Sequence, residues 1–84
     1  MPKSQVYTVT TTAAIVVPAL IGDQSVYLHS ASGTLYLGGA DLTTANGYKM
    51  DNGDKLSLMI GDHEALYAIT TAGTHTLYVL SQIN

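Results

Sequence analysis

Val26-Tyr27-Leu28-His29-Ser30-Ala31-Ser32-Gly33-Thr34-Leu35-Tyr36-Leu37 is the stretch that decides the fold class of this chain. Its side chains alternate with period two, the repeat of an extended strand. Val26, Leu28, Leu35 and Leu37 share one face, while Tyr27, His29 and Tyr36 share the other. Ala31-Ser32-Gly33 interrupts the pattern where a turn is needed. A second stretch follows the same design: Leu66-Tyr67-Ala68-Ile69-Thr70-Thr71-Ala72-Gly73-Thr74 lines up with residues 26–34, and Leu77-Tyr78-Val79 with Leu35-Tyr36-Leu37. The second returning arm is longer by an even step, which preserves parity. Two such hairpins predict a two-layer sandwich in which each sheet takes one of them.

Working outward, extended runs are expected at residues 5–11, 14–19, 25–30, 34–37, 48–50, 55–60, 65–70 and 74–80. Gly, Asn, Asp and Ser punctuate them at short intervals, the spacing of an all-β sandwich or barrel. Pro18 places the second run at an edge or at its own end. Asp51-Asn52-Gly53-Asp54 reads as a tight turn favouring positive φ, and Asn46-Gly47 as a turn closing a longer loop that opens at Gly38-Gly39. Within that loop, residues 41–45 have room for a single helical turn. The expected architecture is all-β: one small antiparallel sandwich or barrel of seven to eight short strands over residues 1–84, with a short polar arm at residues 1–4.

Parity also predicts the core. Leu56, Leu58 and Ile60 line one face of their strand against Lys55, Ser57 and Met59. Leu66 and Ala68 oppose Tyr67 and Ile69, and Leu77 and Val79 oppose Tyr78 and Leu80. The face opposite the aliphatic set is therefore apolar too, where a solvated sheet carries Lys, Glu and Thr.

Charged residues make up 11% of the 84 residues, and hydrophobic ones 46%. A soluble domain is on average about one-quarter charged. A domain this small exposes a large share of its surface, so scarce charge predicts that other proteins cover part of it. The net charge of −3 with three basic residues, Lys3, Lys49 and Lys55, excludes a phosphate-tracking nucleic-acid binder. The longest apolar run, residues 13–21, is broken by Pro18 and falls short of the ~18 residues of a spanning helix. It also lacks the charged start and cleavage pattern of a leader, so neither a membrane partner nor export is expected. The absence of cysteine removes disulfide and thiolate chemistry.

No catalytic constellation emerges, and no cofactor or metal is expected. His29, His63 and His75 form no close ligand pair. Residues 51–54 resemble a calcium loop but lack its later ligands. Asp62-His63-Glu64 lies at a turn with no nucleophile beside it. The tyrosines at 27, 36, 67 and 78 leave two readings open: a sugar-stacking platform, or a packed face between subunits. Among neighbours such as Ile69 and Leu80, packing is the better fit.

From Val26 onward the chain resembles a family of small tailed-phage virion proteins. The resemblance rests on Leu35-Tyr36-Leu37-Gly38-Gly39-Ala40-Asp41-Leu42-Thr43-Thr44-Ala45-Asn46-Gly47-Tyr48, on Gly53-Asp54-Lys55-Leu56-Ser57-Leu58, and on Ala65-Leu66-Tyr67-Ala68-Ile69. It covers about two-thirds of the chain. It implies a non-enzymatic virion structural protein, foremost a capsid decoration protein at the head surface. That protein would be assembled in the host cytoplasm as a homo-oligomer, with a trimer implied by capsid symmetry, and would bind the major capsid protein. Tail or head–tail membership, and a surface receptor- or carbohydrate-binding module centred on loop 41–47, are the alternatives. The expected contact residues are Tyr27, Tyr36, Tyr67, Ile69, Tyr78, Ile15 and Val17, with arm 1–4 reaching a neighbour. In the loop, Asp41 is expected to accept bonds from the amides of Thr43 or Thr44.

Overall fold

The computed structural model describes residues 2–83. Eight strands follow one another: β1 (Pro2–Val9), β2 (Ala14–Val17), β3 (Gln24–Ser30), β4 (Leu35–Gly38), β5 (Tyr48–Met50), β6 (Lys55–Ile60), β7 (Leu66–Ile69) and β8 (His75–Ile83). They form two four-stranded sheets, ordered β1-β8-β3-β6 and β2-β7-β4-β5. Every neighbouring pair is antiparallel. The chain crosses between sheets at every connection except β4 to β5. This is the eight-stranded jelly roll.

The all-β sandwich is as expected, but the two similar stretches are not hairpins. β3 and β4 lie in different sheets, as do β7 and β8. Parity does not separate the two cases, because a strand that arches across to the facing sheet still points the same residues at the shared core. Hydrogen bonds select the arch. After β3, the Ser30 amide donates to the Asp54 carbonyl and the Ala31 amide to the Thr76 carbonyl, so the turn is tied to other strands rather than to its own return.

Val26, Leu28, Leu35, Leu37, Met50, Leu66, Ala68, Leu77 and Val79 form the centre of the core, with Leu56 and Leu58 partly buried against it. The buried polar side chains are each satisfied by a main-chain carbonyl. Gln24 Nε2 donates to Pro18, Ser30 Oγ to Gly33, and Thr70 Oγ1 to Thr34, at 2.9–3.1 Å.

Three local expectations are corrected. The arm at 1–4 is not an arm: from Pro2 onward it is strand, with Lys3 opposite Ser81 and Ser4 opposite Leu80. Met1 lies outside the described residues. Val17 is buried, because the register slips between Ile15 and Val17 and the bulge turns both Val16 and Val17 inward. In the loop after β4, Asn46 Oδ1 accepts from the Thr43 amide at 2.8 Å, and Asn46 Nδ2 donates to the Asp41 carbonyl. The carboxamide rather than Asp41 therefore fixes it. A single turn does form there, closed by the Gly47 amide on the Thr43 carbonyl. Gly53 has the positive φ expected of its turn, +86°. Gly47 does not, and is required instead by close packing, since a Cβ there would lie 2.6 Å from Tyr36 Cβ.

Candidate functional site

The register places side chains on the outer face of the β1-β8-β3-β6 sheet in rows that cross it. One row runs Val6, Tyr78, His29, Lys55; the next runs Ser4, Leu80, Tyr27, Ser57; Met59 lies in the one beyond. Directly opposed side chains approach within about 4.5–5.5 Å, so each row is a continuous surface. Val6 is 62% exposed, Met59 63%, Tyr27 51%, Tyr78 47% and Leu80 40%. The rings of His29 and Tyr78 are tilted against each other with centroids 6.2 Å apart. Tyr27, Tyr78, His29, Ser4 and Ser57 line a shallow depression of about 650 Å³ across these rows. Lys55 is the one ionic side chain in the two full rows. The two half-exposed tyrosines, Val6, Leu80 and Met59 together present on the order of 500 Å² of largely apolar surface, the size of the largest patch on an ordinary monomer, which is often functional.

The outer face of the other sheet differs. Ile15 is exposed opposite a half-buried Tyr67, and Tyr36 is half-buried opposite Ile69. Here the chain covers itself. Leu42 folds back over the sheet, its Cδ1 3.0 Å from where a Cβ on Gly38 would stand, and is 6% exposed. Ile69 is buried as well, at the end of β7 where the Thr70 amide bonds the Thr10 carbonyl.

The expected contact residues therefore separate. Tyr27 and Tyr78 come together on one sheet, Tyr36, Tyr67 and Ile15 lie on the opposite side of the molecule, and Val17 and Ile69 are interior. There is no single tyrosine face. Sequence reading missed Val6, Leu80 and Met59 as members of the exposed patch. Their outward parity was legible, but which strands lie beside β8 was not.

The loops use their own acidic groups as clamps. Asp54 Oδ2 accepts from the Asp51 amide at 2.9 Å and Glu64 Oε1 from the Gly61 amide at 2.7 Å. Asp62 Oδ1 accepts from the Gly22 amide and Asp23 Oδ1 from the Asp62 amide, pinning the β2–β3 link to the β6–β7 link. Asp62 Oδ2 also meets His63 Nδ1 at 2.8 Å. The carboxylates of Asp54, Asp62 and Glu64 are thus occupied in holding backbone, while that of Asp51 meets the Thr34 hydroxyl and Lys49. Among the described residues, no group of three His, Asp or Glu side chains converges as a metal site. No helix is long and apolar enough to cross a membrane.

No protein-family model and no curated protein matches the chain. A solved structure described as "Bacillus endospore appendages form a novel family of disulfide-linked pili" is similar to it, with TM-score 0.70 and 21% identity, covering 96% of this chain and 81% of that one. At that identity the likeness is one of fold.

Proposed function

We propose that this chain is a non-enzymatic structural subunit that works by adhering to other proteins, and specifically that it decorates a phage capsid. The observation that carries this reading is the outer face of the β1-β8-β3-β6 sheet, where Val6, Tyr78, Leu80, Tyr27 and Met59 stand exposed in adjacent rows. A patch of that size on so small a body supports reading it as an interaction surface. Tyrosine suits it, being apolar in body and polar at the tip. The jelly roll is a fold that viral shell proteins use, a supporting analogy and no more. The similar structure, of disulfide-linked pili, is likewise of an assembly. With no cysteine, this chain must hold any such assembly together without disulfides. The major capsid protein is the proposed partner, the capsid surface the proposed location, and a trimer the state that capsid symmetry favours. A tail or head–tail position would use the same face.

The test is co-sedimentation with purified empty shells. Wild-type protein should pellet with the shells, and Tyr27→Glu and Tyr78→Glu should stay in the supernatant while remaining folded. Retained binding in both variants would overturn the role of this face.

A carbohydrate-binding reading has one observation in its favour: the depression of about 650 Å³ carries two tyrosines beside His29, Ser4 and Ser57. Loop 41–47 supports it less, since the side chains of Thr43 and Asn46 are taken up in bonds within the loop. Glycan binding abolished by Tyr27→Ala, with shell binding absent, would favour this alternative.

A further inference from the structure

We infer that β6 is a self-pairing edge, through which two copies of this chain join their β1-β8-β3-β6 sheets into one continuous sheet about a twofold axis. The inference does not rest on the outer-face reading above: it concerns the rim of the sheet, where Met59 and Ser57 belong to both surfaces.

Each sheet has two free edges, and exposed edges invite pairing unless something blunts them. Two of the four carry such a device along their length, and a third at one end only. β1 opens on a proline, which has no amide hydrogen, and on Lys3, while its residues 4–9 run on without either. β2 is bulged between Ile15 and Val17 and stops before Pro18. β5 is three residues long and includes Lys49. β6 has none: its lysine stands at the first position, and Leu56-Ser57-Leu58-Met59-Ile60 runs on without charge, proline or register shift.

The backbone is set for pairing. Ser30 donates its amide to the Asp54 carbonyl, which makes these two a hydrogen-bonded pair. Alternation along the antiparallel ladder then turns the polar groups of Leu56, Leu58 and Ile60 toward β3. Those of Lys55, Ser57 and Met59 face away, and among the described residues no strand lies on that side.

The apolar surface beneath is open as well. Because β5 is shorter than β6, the sandwich gapes along this side into a cleft of about 360 Å³ lined by Leu37, Gly38, Tyr48, Leu56, Leu58 and Leu66. Tyr48 is 61% exposed at its mouth.

A second β6 answers both features. Antiparallel pairing centred on Ser57 sets Leu56 of one copy opposite Leu58 of the other. The twofold axis stands normal to the sheet, so both inner faces remain on the same side and the two clefts close over each other. The contact is isologous, hence self-limiting. Five ladder positions with Leu56, Leu58, Met59 and Tyr48 on each copy bury on the order of 1,000 Å² in total, the threshold for a specific interface.

The test uses the absence of cysteine. On the axis, the two Ser57 Cα atoms would stand about 5.5 Å apart, inside the window of about 4.4–6.8 Å for a disulfide. Ser57→Cys should oxidise to a covalent dimer in large excess over Thr8→Cys, an equally exposed position on β1. The wild-type mass by light scattering should be an even multiple of the chain, two copies alone or six where the proposed trimer also forms, and an odd multiple overturns the inference. Ser57→Pro should halve it, since its lost amide hydrogen faces away from β3. A wild-type monomer at the highest soluble concentration, or equal cross-linking of both cysteine variants, overturns the inference. Should Ser57→Pro fail to fold, the cross-linking comparison decides alone.

Discussion

Gly47 backs directly onto Tyr36: a Cβ on the glycine would lie 2.6 Å from the Cβ of the tyrosine and 2.7 Å from Leu42 Cδ1. The loop after β4 can close over its own sheet only because that space is empty. Overpacking of this kind costs roughly 1–3 kcal/mol. Gly47→Ala should therefore lower the urea midpoint without changing its slope, and Asn46→Gly, which keeps the space but removes the carboxamide bonds, should cost less.

Ile15 and Val17, two positions apart on β2, should respond differently. Val17 is 1% exposed and Ile15 47%. Removing two buried carbons from Val17 should cost about 2 kcal/mol, whereas Ile15→Ala should stay within about 0.5 kcal/mol of wild type. Equal losses in chemical denaturation would contradict the bulge that turns Val17 inward.

Thr70 ties the two arches together through its hydroxyl, which donates to the Thr34 carbonyl at 2.9 Å in a buried site. Thr70→Val keeps the shape and strands the carbonyl, a change worth about 1–3 kcal/mol. Thr71→Val next to it, exposed on the turn, should be nearly neutral. Thermal unfolding of the pair separates a hydrogen bond from a general dislike of valine.

The tyrosines should fall into two classes. Tyr27→Glu and Tyr78→Glu alter an exposed face and should leave the melting temperature almost unchanged while abolishing shell binding. Tyr36→Glu places a charge on a half-buried position beside Leu42 and Gly47, and should destabilise the monomer itself. If Tyr78→Glu unfolds the chain, that residue is structural and not a contact.

Much of the fold was legible because alternation is a local property. Val26, Leu28, Leu35, Leu37, Leu66, Ala68, Leu77 and Val79 were assigned inward from parity, and all are buried. Strand partnership is not local. Nothing in residues 26–37 distinguishes a hairpin from an arch between sheets, so the site was read as one tyrosine face when the tyrosines divide between opposite sides. Val17 was misread because a single bulge reverses parity, and Ile69 because the end of its strand is covered. Asn46-Gly47 is legible as a closing element; that the glycine is needed there for space and not for a positive φ is not.

One consequence of the strand order concerns time. β8 lies between β1 and β3, so the first strand has no neighbour until the last has been made. A nascent chain still threaded through the ribosome beyond residue 74 lacks the middle of that sheet and cannot present Val6 beside Tyr78. Such distant pairing is slow, on the order of milliseconds to seconds. The adhesive face thus comes into existence only once β8 has taken its place between β1 and β3, which keeps copies lacking it from docking prematurely.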